Sequence, residues 1–190
     1  MSEHRGSDPR EREPTDTGGT GSPRVGGFLG TARAVLLNPK AFFQAMPVEG
    51  GLSQPYIFYL LCTSVFLAAI LGLSLAGPAG LASQILIAAG LIPILPFVDA
   101  ALLHLLMVKL VDGTGSYEST FRVVCYASAV NLVTWVPLVG LVGQLYEIYL
   151  AVLGVSIVHR AGMGRTLLAV VATALVFLTL TLLLVRSIVS

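Results

Sequence analysis

Five polar side chains are written into long apolar runs: Asp99, His104, Asn131, Gln144 and Glu147. Ionisable groups at membrane depth are rare and costly, so each is a candidate for function. Asp99 lies ten residues before Lys109, and Glu147 twelve before His159. At 1.5 Å per residue both carboxylates reach about the middle of a bilayer if Lys109 and His159 mark its edge. Two carboxylates at one depth suit proton-linked exchange or a substrate lining, and equally suit hydrogen bonding between helices. His104 lies about 140° round a helix from Asp99 and reads as a packed neutral histidine.

Other chemistries lack their signatures. Cys62 and Cys125 have no partner at metal or redox spacing, so no metal site or cofactor is expected. Neither a His-Glu-x-x-His motif nor a Gly-x-Ser-x-Gly elbow occurs, and Gly113-x-Gly115 reads as a plain turn. Ser83 with His104 has no protease spacing. The expectation is a protein that is not an enzyme.

The elements that must hold these residues follow from composition. The chain has 190 residues, 55% of them hydrophobic and 11% charged, with a mean hydropathy of +0.86. A soluble domain carries roughly 25% charge. Nine of the 21 charges fall in residues 1–24, leaving too few to solvate the rest. A soluble enzyme, a nucleic-acid binder and a secreted disulfide scaffold are excluded. The near-neutral balance, with a net charge of +1, gives no reason to expect nucleic acid.

Residues 1–24 read as a disordered polar tail. From 25 to 50, apolar residues at helical spacing (Phe28, Ala32, Val35, Leu36, Phe42, Phe43, Met46) alternate with Arg33, Lys40 and Gln44. Asn38-Pro39 suits an N-cap followed by a first helical position. These runs are too short to span. They read as interfacial amphipathic helices, or as helices packed under a membrane bundle.

Residues 51–190 form the membrane domain. About 20 apolar residues make a span, and five candidates follow: 56–76, 81–110, 121–136, 138–158 and 167–185. Tyr56 and Tyr59 read as interfacial anchors, and Pro93 and Pro96 as a kink in the long second span. Arg122 is placed to snorkel, and His159, Arg160 and Arg165 read as topology determinants. Arg24, Arg33, Lys40, Lys109, Arg122, Arg160 and Arg165 all fall on one side, which puts the N-terminus in the cytoplasm and the C-terminus outside. Gly140, Gly143 and Gly154 share a face of the fourth span with Gln144 and Glu147, a surface that lets another helix approach closely. The fold class is therefore all-α, a five-span helical bundle preceded by an interfacial amphipathic helix.

Several stretches carry a family resemblance. Leu37-Asn38-Pro39-Lys40-Ala41-Phe42-Phe43, then Gly115 to Arg122 running into Tyr126-Ala127-Ser128-Ala129, then Trp135-Val136-Pro137-Leu138-Val139-Gly140, and Leu145-Tyr146-Glu147-Ile148-Tyr149-Leu150 with Gly154, resemble the Yip (Ypt/Rab-interacting protein) domain family. Asn38, Pro39, Tyr126, Pro137, Tyr146 and Tyr149 are the positions that carry it. The resemblance implies the five-span organisation and no catalytic residue. Eukaryotic members serve membrane traffic and bind prenylated Rab-type GTPases. The acidic Asp-Leu-Tyr-Gly-Pro type motif of that branch is missing here, so the chain resembles the bacterial branch, and Rab binding is not implied. The expected role is a membrane-organising or partner-binding protein of a bacterial inner membrane. Its partners would be the lipid bilayer and an unknown protein at the cytoplasmic face, with a homo-oligomer compatible with the glycine face. The alternative is a small proton-linked transporter or channel subunit, motivated by Asp99 and Glu147.

Overall fold

The computed structural model describes residues 27–75, 85–86, 89–136 and 138–189. The expected tail at 1–24, part of the expected second span and Pro137 lie outside the described residues. The described elements are α1 (Gly27–Leu37), α2 (Pro39–Ala45), α3 (Ser53–Ser74), α4 (Leu95–Leu110), α5 (Tyr117–Ala127), a 3-10 turn (Ser128–Val130), α6 (Asn131–Thr134), α7 (Val139–Val158) and α8 (Met163–Val189).

Three of these helices are long and apolar enough to cross a bilayer: Ser53–Ser74, Val139–Val158 and Met163–Leu180 within α8. Five were expected, and the two shortfalls have local causes. In the second expected span the described helix begins only at Leu95 and is 16 residues long. Pro96 lacks an N–H, so the Ile92 carbonyl loses its helical donor. The Phe97 N–H turns to the Ile94 carbonyl instead of that of Pro93. Both orphaned carbonyls are taken by α3: Tyr59 donates to Ile92 and Tyr56 to Pro93, each at 3.0 Å. Tyr56 and Tyr59 close the break in a neighbouring helix, a role their expected place as anchors did not include. The third expected span is interrupted by the 3-10 turn between α5 and α6, and no single helix there reaches spanning length.

The ends of the rods nonetheless coincide. Gly51, just ahead of α3, is bonded to Glu118 and Arg122 of α5. Thr120 of α5 meets His159 at the end of α7, and Arg165 of α8 reaches Leu110 and Asp112 beyond α4. Lys109, Arg122, Arg160 and Arg165 thus gather at one end of the bundle, called the basic end below. Ser116 N-caps α5 by accepting from the Ser119 N–H at 3.1 Å.

Two apolar clusters fill the interior. One joins Val35 and Phe43 to Cys62, Met107 and Leu150; the other groups Tyr59, Ala100, Phe121 and Cys125. Val35 and Phe43 belong to α1 and α2, so the stretch expected at the membrane surface is packed against the bundle. α2 lies along α7, and α1 touches α5 and the 3-10 turn. Gly154 makes the close approach: a Cβ there would stand 2.6 Å from Val123 Cγ1 and 3.1 Å from Phe43 Cε1.

Candidate functional site

Four of the five polar residues singled out in the spans line one cavity of about 390 Å³. Asp99 comes from α4, Asn131 from α6, and Gln144 and Glu147 from α7, with Thr173 from α8 opposite. The proline break before α4 helps to position Asp99, four residues into that helix. Gln144 and Glu147 are three residues apart on α7 and so share a face. Gln144 is exposed while Asp99, Asn131 and Glu147 are half-buried.

The polar groups in the cavity fall into two kinds. Ser128 donates to the Cys125 carbonyl at 2.7 Å and Thr173 to the Ala169 carbonyl at 2.9 Å, so both hydroxyls serve their own helices. Asn131 Nδ2 lies 3.5 Å from Thr63 Oγ1, at the limit of a hydrogen bond. Among the described residues Asp99 and Glu147 accept no hydrogen bond and face no cation, and Arg122 and Arg165 are engaged at the basic end. Two carboxylates and two amides are what a ligand with hydrogen-bond donors or positive charge requires.

His104 is not part of this group. It stands in a second cluster at the basic end, with its ring 5.6 Å from that of His159 and Nδ1 3.4 Å from Thr120 Oγ1. His159, expected as a topology determinant, is 1% exposed. The Gly115 N–H donates to its Nδ1 at 3.2 Å, which leaves Nε2–H to donate to Thr120 Oγ1 at 2.8 Å. The Thr120 hydroxyl passes on to the Ser116 carbonyl at 3.1 Å. Burial, with His104 adding to it, pushes the His159 pKa down to about 4. The Gly113–Gly115 stretch is the clasp on this ring and not a plain turn. A Cβ on Gly115 would stand 2.9 Å from the imidazole, and one on Gly113 2.5 Å from Nδ1.

Arg122 also departs from expectation. It does not snorkel: it is 4% exposed, pairs with Glu118 at 3.1 Å and donates to the Gly51 carbonyl at 2.7 Å. Glu118 in turn accepts from the Gly51 N–H at 2.7 Å. The i, i+4 spacing of Glu118 and Arg122 was a readable signal for the pair. For the His159 cluster no local pattern exists.

The remaining positions have structural places. Asn38 stands at the N-cap of α2 without a side-chain cap bond, and Pro39 opens that helix. Tyr126 lies between Phe42 and Phe58, at 5.1 and 5.3 Å. Tyr146 donates to the Leu36 carbonyl at 2.6 Å and stacks on the exposed Tyr149. Gly140 and Gly143 lie against Thr134, and Gly154 against Val123 and Phe43. The three glycines therefore let the stretch from α5 to α6 approach α7 closely, with Phe43 of α2 added at Gly154.

Comparison with curated proteins finds no match, and neither does comparison with solved structures. The family model of the Yip1 domain matches residues 33–185. That match takes in α3 to α7, the cavity and the basic end, and together with the apolar helices it makes this a membrane protein. The chain belongs to the Yip1 domain family.

Proposed function

We propose that this Yip1-domain protein is a non-enzymatic binding protein of the bacterial inner membrane, which organises partners by holding a cationic or donor-rich group in the carboxylate-lined cavity. The observation that carries this reading is the meeting of Asp99, Asn131, Gln144 and Glu147 in one cavity, with both carboxylates lacking a protein partner among the described residues. Binding is favoured over chemistry because the hydroxyls there, Ser128 and Thr173, bond to their own helices and have no activating base. All five rods cross the bilayer in this proposal, with the basic end, the N-terminus and a protein partner on the cytoplasmic side. The two helices below spanning length are suited to this because tyrosines close the break before α4.

A proton-linked transporter or channel subunit is the second reading, favoured by the same pair of carboxylates. Crosslinking pull-down from native membranes, with the unmodified chain and with D99N/E147Q, tests the first. The proposal expects a captured partner that is lost in the double variant. Capture unchanged by the substitutions removes the cavity from the binding site. Proton flux into vesicles reconstituted with the full chain, above that of empty vesicles and lost in E147Q, would establish the transport reading instead.

A further inference from the structure

We propose that α1 and α2 form a re-entrant helical hairpin that enters only the half of the bilayer at the basic end, turns at Asn38-Pro39, and presents Leu29, Arg33, Leu37 and Lys40 to anionic phospholipid. The geometry supplies a depth scale. Gly51 is bonded to Glu118 and Arg122, and His159 to Thr120, so these residues mark one level. Phe28, at the start of α1, stacks 5.3 Å from Phe58, only five residues into α3. At the other end of α1 the Leu36 carbonyl accepts from Tyr146, thirteen residues before His159 and about 19 Å below it along α7. The tyrosine side chain leans toward the start of its helix, so Leu36 is at least that deep. α2 then climbs back: Phe43 lies against Gly154, five residues before His159, or about 8 Å below it. The chain goes down to about the middle of the bilayer and comes up on the same side.

One further observation agrees with lipid around the turn. α7 changes character at the depth of the turn. Leu150 and 152–156 are buried, while Leu141, Val142, Leu145 and Tyr149 are exposed. The hairpin jackets the inner half of α7 and leaves the outer half bare.

The outward face is suited to a leaflet. Leu29 and Leu37 are 75% and 72% exposed, and exposed Arg33 is four residues from each, on the same stripe. Arg33 and Lys40 have stems long enough to lift their charges toward headgroup phosphates while Leu29 and Leu37 meet acyl chains.

Depth-dependent quenching tests this in the full chain reconstituted in vesicles. A fluorophore is placed on L29C, L37C or E49C, with the unmodified chain as blank because Cys62 and Cys125 are buried. Lipids carry a nitroxide either near the glycerol or near the end of the acyl chain. The hairpin predicts that L37C is quenched more by the deep nitroxide, L29C more by the shallow one, and E49C only by aqueous iodide. Equal shallow quenching of L29C and L37C would mean a flat surface helix, and no lipid quenching of either would mean a buried one; both overturn the proposal. Nitroxide on phosphatidylglycerol should quench L37C severalfold more than the same label on phosphatidylcholine, and R33Q/K40Q should erase that preference. No preference in the unmodified chain would overturn the anionic-lipid part.

Discussion

The basic end and the cavity are both polar regions inside an apolar bundle, and they treat their polar groups in opposite ways. At the basic end every buried group has a protein partner: Arg122 with Glu118 and Gly51, His159 with Gly115 and Thr120. In the cavity Asp99 and Glu147 have none among the described residues, while the hydroxyls beside them are satisfied by their own helices. A fully satisfied network rigidifies and specifies one packing, whereas a half-buried carboxylate with no protein partner keeps its acceptor sites open to a ligand. The comparison assigns stability to one end and binding to the other.

The largest test is R122L. It strands Glu118 and the Gly51 carbonyl, and should cost about 3 kcal/mol in detergent unfolding, toward the low end for a broken pair because Glu118 is partly exposed. An unchanged melting curve would mean that the clamp does not hold the bundle. G115A should come next, at about 2 kcal/mol, because the added Cβ meets the His159 ring and the Val158 carbonyl, which is rigid backbone. G51A serves poorly as a matched control, since Gly51 has a φ of +87° and is strained by any side chain.

Acid should act on the same end. His159 is held neutral in the fold, so the unfolded chain binds the extra proton and stability falls as pH drops. The loss begins below the ordinary histidine value of 6.5, levels off below about 4, and amounts to ~1 kcal/mol near pH 5.5. H159Q should flatten that dependence between those limits. If melting of the unmodified chain did not vary with pH there, the neutral buried ring would be wrong. The smallest effect on stability belongs to the cavity. E147Q removes no hydrogen bond of the fold and should shift stability by less than about 0.5 kcal/mol, while partner capture is lost. A large destabilisation would show that Glu147 is structural and that the contrast between the two ends fails.

Much of the membrane architecture was legible along the chain. Asp99 and Glu147 were paired from the sequence, and they line one cavity. Of the seven basic residues expected on one side, Lys109, Arg122, Arg160 and Arg165 collect at one end, while Arg33 and Lys40 lie on α1 and α2 away from it and Arg24 is outside the described residues. Expectations failed where the deciding partner is remote in sequence. Tyr56 and Tyr59 looked like anchors because nothing local shows that Ile92 and Pro93 need donors 33 and 37 residues away. His159 looked like a marker because its clasp, Gly113 to Gly115, is 44 residues distant at Gly115. His104 was grouped with the carboxylates by its run, yet the tertiary fold turns it to Thr120 and His159.

Hydropathy and charge by themselves determined that the chain is a helical membrane protein, because transfer free energies act residue by residue. Which polar groups are satisfied was decided only by the tertiary structure. A carbonyl released by a proline, a buried guanidinium or an imidazole finds its partner on another helix, and hydrogen bonds require distances of about 3 Å that no linear spacing encodes. That is why Asp99 and Glu147 could be nominated from the sequence, while their meeting in one cavity, without a partner among the described residues, appeared only in the fold.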